Sequence, residues 1–175
     1  LEAKVTGPFV RLTLPEKIPG RLVMVATSVG LAPYMPILKE LETRSFPEVV
    51  LLLGVRDRSE FIYGDVLKDY AQRHDYIELR LCLSRGKATA GYEHDGYVNA
   101  QIERLGVNPE SDHFLLCGNP EMIDDAWGYL KKSRFKAKNV VREKYVFARE
   151  SRSSAKALTA EHKQLIADKL KKYGK

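Results

Sequence analysis

The sequence is poor in the residues that build metal centres and disulfide frameworks. It contains two cysteines and four histidines in 175 residues. Neither Cys82 nor Cys117 has a Cys or His neighbour at metal-ligand spacing, and the histidines are scattered. This pattern argues against a zinc site and against a disulfide framework. We therefore expect no metal site, and two cysteines inside apolar runs favour a reducing, cytoplasmic setting.

Long apolar runs and hydrolase motifs are missing as well. No stretch approaches the roughly 18 apolar residues that a membrane-spanning helix requires. No Gly-x-Ser-x-Gly elbow is present, and no histidine is placed beside a nucleophile. We therefore expect no membrane span and no hydrolytic site.

Positive charge is concentrated at the C-terminus. The formal net charge is +6, and residues 149–175 contain eight Lys/Arg against three Asp/Glu. The remaining sequence is nearly neutral and has no basic face studded with aromatics, so we expect no nucleic-acid partner. Thr159 can cap a helix in this tail. The apolar stripe of this predicted C-terminal helical extension comprises Leu165, Ile166, Leu170 and Tyr173.

Apolar runs alternate with amphipathic stretches along the body of the chain. The predicted strands are residues 22–27, 49–55, 76–83, 113–117 and 139–147. The predicted helices are residues 33–43, 64–73, 98–105 and 121–135. This alternation predicts an α/β fold with a doubly wound parallel sheet.

Turns built from small residues follow the first and the fourth predicted strands. In a doubly wound sheet the ligand lies at the carboxyl ends of the strands. The first turn leads straight into a helix N-terminus, where free amides can bind a pyrophosphate. Its candidate binding residues are Thr27, Ser28, Gly30, Ala32 and Pro33. An ordinary strand-to-helix turn is the alternative.

The second turn begins with a thiol. Cys117 ends the fourth predicted strand, and Gly118, Pro120 and Met122 follow it into the next helix. A thiol at this strand end would lie beside anything bound across the sheet. The alternative is a buried cysteine that packs as a small hydrophobe.

Together the two turns resemble those of the ferredoxin–NADP reductase superfamily. Its members carry a Gly-Thr-Gly-Ile-Ala-Pro-Phe-like turn and a later Cys-Gly-x-Pro-x-Met turn in the NAD(P)-binding domain. The resemblance extends from Val5 to Phe147, and Gly7-Pro8-Phe9 looks like the end of the family's flavin-binding domain. It implies a five-stranded parallel sheet in residues 20–148, after a remnant of the flavin-binding domain and a linker in residues 1–19. Residues 149–175 form the predicted tail.

The resemblance also implies roles for single residues. The pyrophosphate would bind the first turn, and the nicotinamide would reach Cys117, which would orient it together with Thr27. These two residues are the candidate catalytic residues. Ser28 stands where the family has glycine, and Val29 stands where it has threonine.

The adenosine end has its own candidates. By the resemblance, Ser84 and Arg85 would bind the adenosine 2′-phosphate and Tyr97 would lie against the adenine. Arg56, directly after the second strand, is a further phosphate ligand by its chemistry. Either arginine could instead pair with Asp57 or Glu60. This pattern favours NADP(H), with NAD(H) as the alternative.

The resemblance implies a flavoprotein reductase activity. Hydride would pass between NADP(H) and FAD on the FAD-binding domain of the same polypeptide, which would exchange electrons with a ferredoxin or flavodoxin-like carrier. Tyr145 is a possible flavin contact, or else a core-facing edge aromatic. Two alternatives stay open: an NADH-dependent reductase component of an oxygenase or hydrogenase-linked enzyme, and a non-catalytic binding module with the same fold.

Overall fold

The structure, a computed structural model, describes residues 12–44 and 47–145. The chain divides into two units, Leu1–Tyr145 and Val146–Lys175. The second unit lies outside the described residues. The predicted tail helix in residues 149–175 and the first eleven residues of the predicted flavin-domain remnant therefore lie outside them too.

The strands of the described residues form one parallel sheet. They are β1 (Arg21–Thr27), β2 (Glu48–Val55), β3 (Ile77–Leu83), β4 (Glu93–Asp95), β5 (His113–Gly118) and β6 (Val140–Lys144). Their order in the sheet is β4-β3-β2-β1-β5-β6, and every neighbouring pair is parallel. The predicted α/β doubly wound fold is confirmed.

The expected number of five strands is wrong by one. The additional strand, β4, is Glu93-His94-Asp95, which pairs with the end of β3. Its three polar residues form no apolar run, so the hydrophobic pattern could not indicate it. The last strand also ends at Lys144, earlier than the predicted residue 147, and Tyr145 follows it directly.

The four predicted helices are all present. They are α1 (Tyr34–Leu41), α2 (Gly64–Arg73), α3 (Val98–Arg104) and α4 (Pro120–Lys132). Pro33 precedes α1 and Pro120 opens α4, positions at which a missing amide hydrogen costs nothing. Within residues 12–44 and 47–145, no helix has the length and apolar character needed to cross a bilayer.

The central strands bury side chains on both faces of the sheet. Met24 of β1 packs in one core with α1 and α2, whereas Val25 beside it packs in a second core with α3 and α4. The chain proceeds from β1 through α1 to β2 on one side, while β5 pairs with the other side of β1. A reversal of this kind opens a crevice at the carboxyl ends of the two strands, here β1 and β5.

Tyr34 connects α1 to both strands beside that crevice. Its ring is fully buried, and its hydroxyl lies 2.8 Å from the Val25 carbonyl oxygen and 2.6 Å from the Leu115 carbonyl oxygen. Burial raises the pKa of this hydroxyl well above its ordinary value. The hydroxyl therefore stays protonated and remains a donor to the two strands.

Removing this hydroxyl is expected to destabilise the fold. Tyr34→Phe keeps the ring but leaves buried carbonyls without the donor, which should lower the free energy of unfolding by about 1–2 kcal/mol. Urea denaturation measures the change. Tyr97→Phe is the matched control, because Tyr97 is 73% exposed and should change nothing. Equal stabilities of Tyr34→Phe and the wild type would contradict the assigned hydrogen bonds.

Candidate functional site

The two predicted turns meet at the carboxyl ends of β1 and β5. A Cβ atom on Gly30 would lie 2.5 Å from the Cys117 carbonyl oxygen, so the first turn packs directly on the backbone of β5. Gly118 has a φ of +132°, and a Cβ atom there would collide with the Thr27 hydroxyl. Glycine is required at both positions, because any side chain would push the turns apart.

Thr27 joins β1 to the start of α4. Its hydroxyl oxygen accepts a hydrogen bond of 2.9 Å from the Asn119 amide. Asn119 caps α4, since its side-chain oxygen accepts from the amides of Glu121 and Met122 at 2.8 and 3.3 Å. No described residue accepts the Thr27 hydroxyl proton. Thr27 therefore fixes the second turn and keeps a donor for a ligand.

Ser28 adopts a backbone conformation that favours glycine. Its φ is +50°, in the left-handed region, and its side chain is exposed. Steric repulsion there costs a residue with a Cβ atom about 1–2 kcal/mol. This strain gives a physical reason for the glycine that stands at the corresponding place in the resembled motif.

Ser28→Gly is therefore expected to stabilise the protein. The relieved strain exceeds the extra chain entropy of glycine, about 0.4–1 kcal/mol, so the free energy of unfolding should rise by about 0.5–1 kcal/mol. Ser133→Gly is the control, because Ser133 has a φ of −79° and should lose stability on the same change. Both are read from urea midpoints. A loss of stability in Ser28→Gly would show that Ser28 is not strained.

A shallow cleft lies between the first turn and the end of β2. It encloses about 200 Å³ of empty space, a total that includes open solvent. The cleft is lined by Ala26, Ser28, Leu31, Leu53, Gly54, Val55, Glu60, Phe61 and Ile62. Ala32 is exposed and Pro33 is half-buried at the N-terminus of α1. Of the predicted pyrophosphate residues, Ser28 is the one that lines the cleft.

The Cys117 thiol is buried below this edge. It has no exposed surface, and it lies against Tyr145, whose amide donates to the Gly118 carbonyl at 2.9 Å. Burial and then the charge of Glu143 raise the pKa of the Cys117 thiol to about 12, although the hydrogen bond with Tyr145 opposes the shift. The thiol is protonated at neutral pH, which argues against a nucleophilic role.

Glu143 belongs to the same cluster and was not singled out by the sequence. It pairs in register with Cys117, and its Oε2 atom is buried without a hydrogen-bond partner among the described residues. A buried carboxylate oxygen without a partner is costly, which makes this position notable. The signals in the sequence were the alternation of charged and apolar residues in β6 and the resemblance of residues 143–147 to the family's carboxyl-terminal segment, neither of which gives Glu143 a role.

Arg56, Ser84 and Arg85 lie together at the ends of β2 and β3. The Ser84 amide donates to the Val55 carbonyl at 3.0 Å, and the Arg85 amide donates to the Arg56 carbonyl at 2.8 Å. The Arg56 side chain pairs with Glu60, whereas Arg85 is exposed and has no ion pair with any residue that the structure describes. Of the two arginines, Arg85 is the one available to a phosphate.

A second arginine–glutamate ion pair, Arg58 with Glu93, holds the loop that contains Arg85. The Arg58 guanidinium donates to both Glu93 carboxylate oxygens at 2.7 and 2.6 Å and to the Lys87 carbonyl at 2.5 Å. The amides of Thr89 and Ala90 donate to the same carboxylate at 2.7 and 3.0 Å. These contacts fix residues 84–93 against the β2 end. Tyr97 follows β4 and is strongly exposed.

The Glu93 carboxylate predicts an acid-dependent loss of stability. Hydrogen bonds from Arg58 and from the backbone lower its pKa to about 2. A lowered pKa means that Glu93 stabilises the fold above its unfolded pKa, about 4.3. That stability is lost as the pH falls towards 2. Wild type should therefore lose more stability than Glu93→Gln between about pH 4.3 and 2.

Urea midpoints measured across this pH range test the effect. Glu103→Gln is the control, because Glu103 is exposed and has no hydrogen bond or ion pair with the described residues. It should follow the wild-type curve. Parallel curves for wild type and Glu93→Gln would refute the assigned role of the carboxylate.

Known proteins are similar to this chain in sequence and in fold. The sequence model of the oxidoreductase NAD-binding domain family matches residues 24–127. A flavodoxin/ferredoxin–NADP reductase of Buchnera aphidicola subsp. Schizaphis graminum is 30% identical over 135 residues, covering 70% of this chain and 51% of the relative. A ferredoxin–NADP reductase of Azotobacter vinelandii is 28% identical over 138 residues, covering 70% of this chain and 52% of that relative.

A solved structure agrees with these relatives. The ferredoxin NADP⁺ reductase of Neisseria gonorrhoeae with bound FAD and NADP superposes with a TM-score of 0.64 and 26% identity, covering 75% of this chain and 59% of that one. The chain belongs to the oxidoreductase NAD-binding domain family, within the ferredoxin–NADP reductase superfamily. It spans about half the length of the curated relatives it matches.

Proposed function

We propose that this chain binds NADP(H) across the carboxyl edge of its sheet. It would present the nicotinamide to FAD on a flavin-binding domain of the same polypeptide, for hydride exchange. A ferredoxin or flavodoxin-like carrier would then exchange electrons with the flavin. The observation that supports this proposal most strongly is the close approach of the two turns at Gly30 and Gly118. Arg85, which has no ion pair among the described residues, lies further along the same edge. The names of the relatives support this reading.

The phosphate end of the proposed site rests on charge and free amides. The first turn ends at the N-terminus of α1, where backbone amides and the helix dipole favour a pyrophosphate. Arg85 would bind the adenosine 2′-phosphate, because a guanidinium forms paired hydrogen bonds to phosphate oxygens. The Ser84 hydroxyl, which donates to the Val55 carbonyl at 3.3 Å, would join it by turning its proton to the phosphate. Tyr97 offers an exposed ring to the adenine.

The nicotinamide end of the proposed site is built for positioning. Bound FAD would supply the electron chemistry, whereas the protein orients the reactants. Thr27 keeps a hydroxyl proton for the coenzyme, and Cys117 packs below it as a protonated thiol. Tyr145 lies against that thiol, so a nicotinamide can reach Cys117 only after Tyr145 moves. Glu143 adds negative charge beside both residues.

The cysteines support a proposal about the compartment. Cys82 and Cys117 are both buried and unpaired. We place the activity in a reducing setting, the cytoplasm, because free buried thiols persist there without competition from disulfide formation.

Arg85→Ala tests the choice of coenzyme. Loss of one charge-assisted contact should weaken NADP⁺ binding by roughly 10- to 150-fold, or about 1.5–3 kcal/mol, and leave NAD⁺ binding nearly unchanged. Titration calorimetry measures both. The control is Arg104→Ala, an exposed arginine at the C-terminal end of α3.

Each alternative function predicts a different result. Equal losses for both coenzymes would remove Arg85 from this role and make Arg56 the next candidate. Stronger binding of NAD⁺ than of NADP⁺ by the wild type would support an NADH-dependent reductase component. No binding of either coenzyme at millimolar concentration would support a non-catalytic module.

A further inference from the structure

A carboxylate lies in the wall of the proposed coenzyme cleft. Among the described residues that line the cleft, Glu60 is the one with a formal charge. Its neighbours in the lining, Phe61, Ile62 and Leu53, are apolar, so few polar groups separate this charge from a bound ligand. An anionic coenzyme that enters the cleft would meet a negative charge there.

Glu60 is held in the cleft wall by Arg56. Its Oε1 atom accepts from Arg56 Nε at 2.5 Å, and its Oε2 atom accepts from the Arg56 amide at 3.1 Å. Arg56 Nη2 also contacts Oε1. The intervening turn is braced by Asp57, whose side chain accepts from the Ser59 amide at 2.9 Å. Both oxygens of Glu60 are thus engaged by the same arginine.

The pair is charged and accessible. Hydrogen bonds from Arg56 lower the pKa of Glu60, so the carboxylate is ionised at neutral pH. The Arg56 side chain is 60% exposed and that of Glu60 is 27% exposed. Arg56 can therefore turn towards a ligand without disrupting the core, and an exposed pair of this kind is weak enough for a phosphate to break.

We infer that Glu60 limits coenzyme affinity by competing with the coenzyme phosphates for Arg56. This inference rests on the proposed coenzyme site. The two arginines then differ in function: Arg85 has no ion pair to break among the described residues, whereas Arg56 becomes available only when its contact with Glu60 breaks. Neutralising Glu60 removes both the competition and the repulsion, so it should tighten binding. A purely structural role of the pair predicts the opposite, because a loosened turn binds less well.

The test is calorimetric titration of the full 175-residue chain with 2′,5′-ADP. Glu60→Gln should bind this probe about threefold to tenfold more tightly than the wild type, the range expected for removing one near-surface charge. Arg56→Gln should weaken binding, because it leaves the Glu60 charge without its cation beside the cleft. The double variant should lose most of the gain. Glu60→Ala removes the carboxylate in a second way and should show the same gain.

The matched control is Glu40→Gln. Glu40 forms an Arg–Glu pair of the same spacing with the half-buried Arg44 at 2.8 Å, near the C-terminal end of α1 and away from the carboxyl edge of the sheet. Glu40→Gln should leave the affinity for 2′,5′-ADP unchanged. Unfolding curves confirm that each variant is folded.

The outcomes separate this inference from the proposed function. Wild-type binding with no gain in either Glu60 variant would overturn the inference alone. The inference would also be overturned if neutralising Glu60 raised the affinity equally in the presence and in the absence of Arg56. Such a result would mean that Glu60 only repels the phosphates and does not compete with them for Arg56. Absence of 2′,5′-ADP binding in all variants would overturn the proposed function and the inference together.

Discussion

The contact between Gly30 and the Cys117 carbonyl is the constraint on which the rest of the site depends. It brings the turn after β1 onto the backbone of β5, so that one helix begins on each side of the crevice. The Thr27 to Asn119 hydrogen bond then fixes the start of α4. A side chain at position 30 would separate these elements and remove the surface on which a pyrophosphate could rest.

The carboxyl edge combines a rigid end with an adjustable end. Around the first turn, the positions of the atoms are set by backbone packing that leaves no room for change. Around Arg56 and in the loop that contains Arg85, the atoms are positioned by two surface ion pairs, Arg56–Glu60 and Arg58–Glu93. A ligand can compete with protein groups for such pairs. Such a division suits a coenzyme whose pyrophosphate and reactive ring must be placed accurately, while its 2′-phosphate needs mainly charge.

The sequence predicted what short-range patterns encode. Buried strands and the two small-residue turns follow from apolar runs and glycine placement, and the structure has them. The sequence did not predict the long-range pairings. Arg58 forms hydrogen bonds with Glu93 from a separate loop, and Glu143 of β6 lies beside Cys117 of β5. The polar strand β4 was missed for the same reason, since its one buried residue, Glu93, has its ionic partner in the distant Arg58. Periodicity cannot reveal contacts made by polar partners distant in sequence.

The most direct test of a coenzyme at this edge is an amide NMR titration of the chain with NADP⁺. Binding across the carboxyl ends of the strands should shift the amide signals of residues 28–32, 84–85 and 118–119 in proportion to occupancy. The amides at the amino ends of the strands, such as Leu22 and Val49, should stay unchanged. Shifts confined to the amino ends, or no shifts at millimolar NADP⁺, would contradict the account.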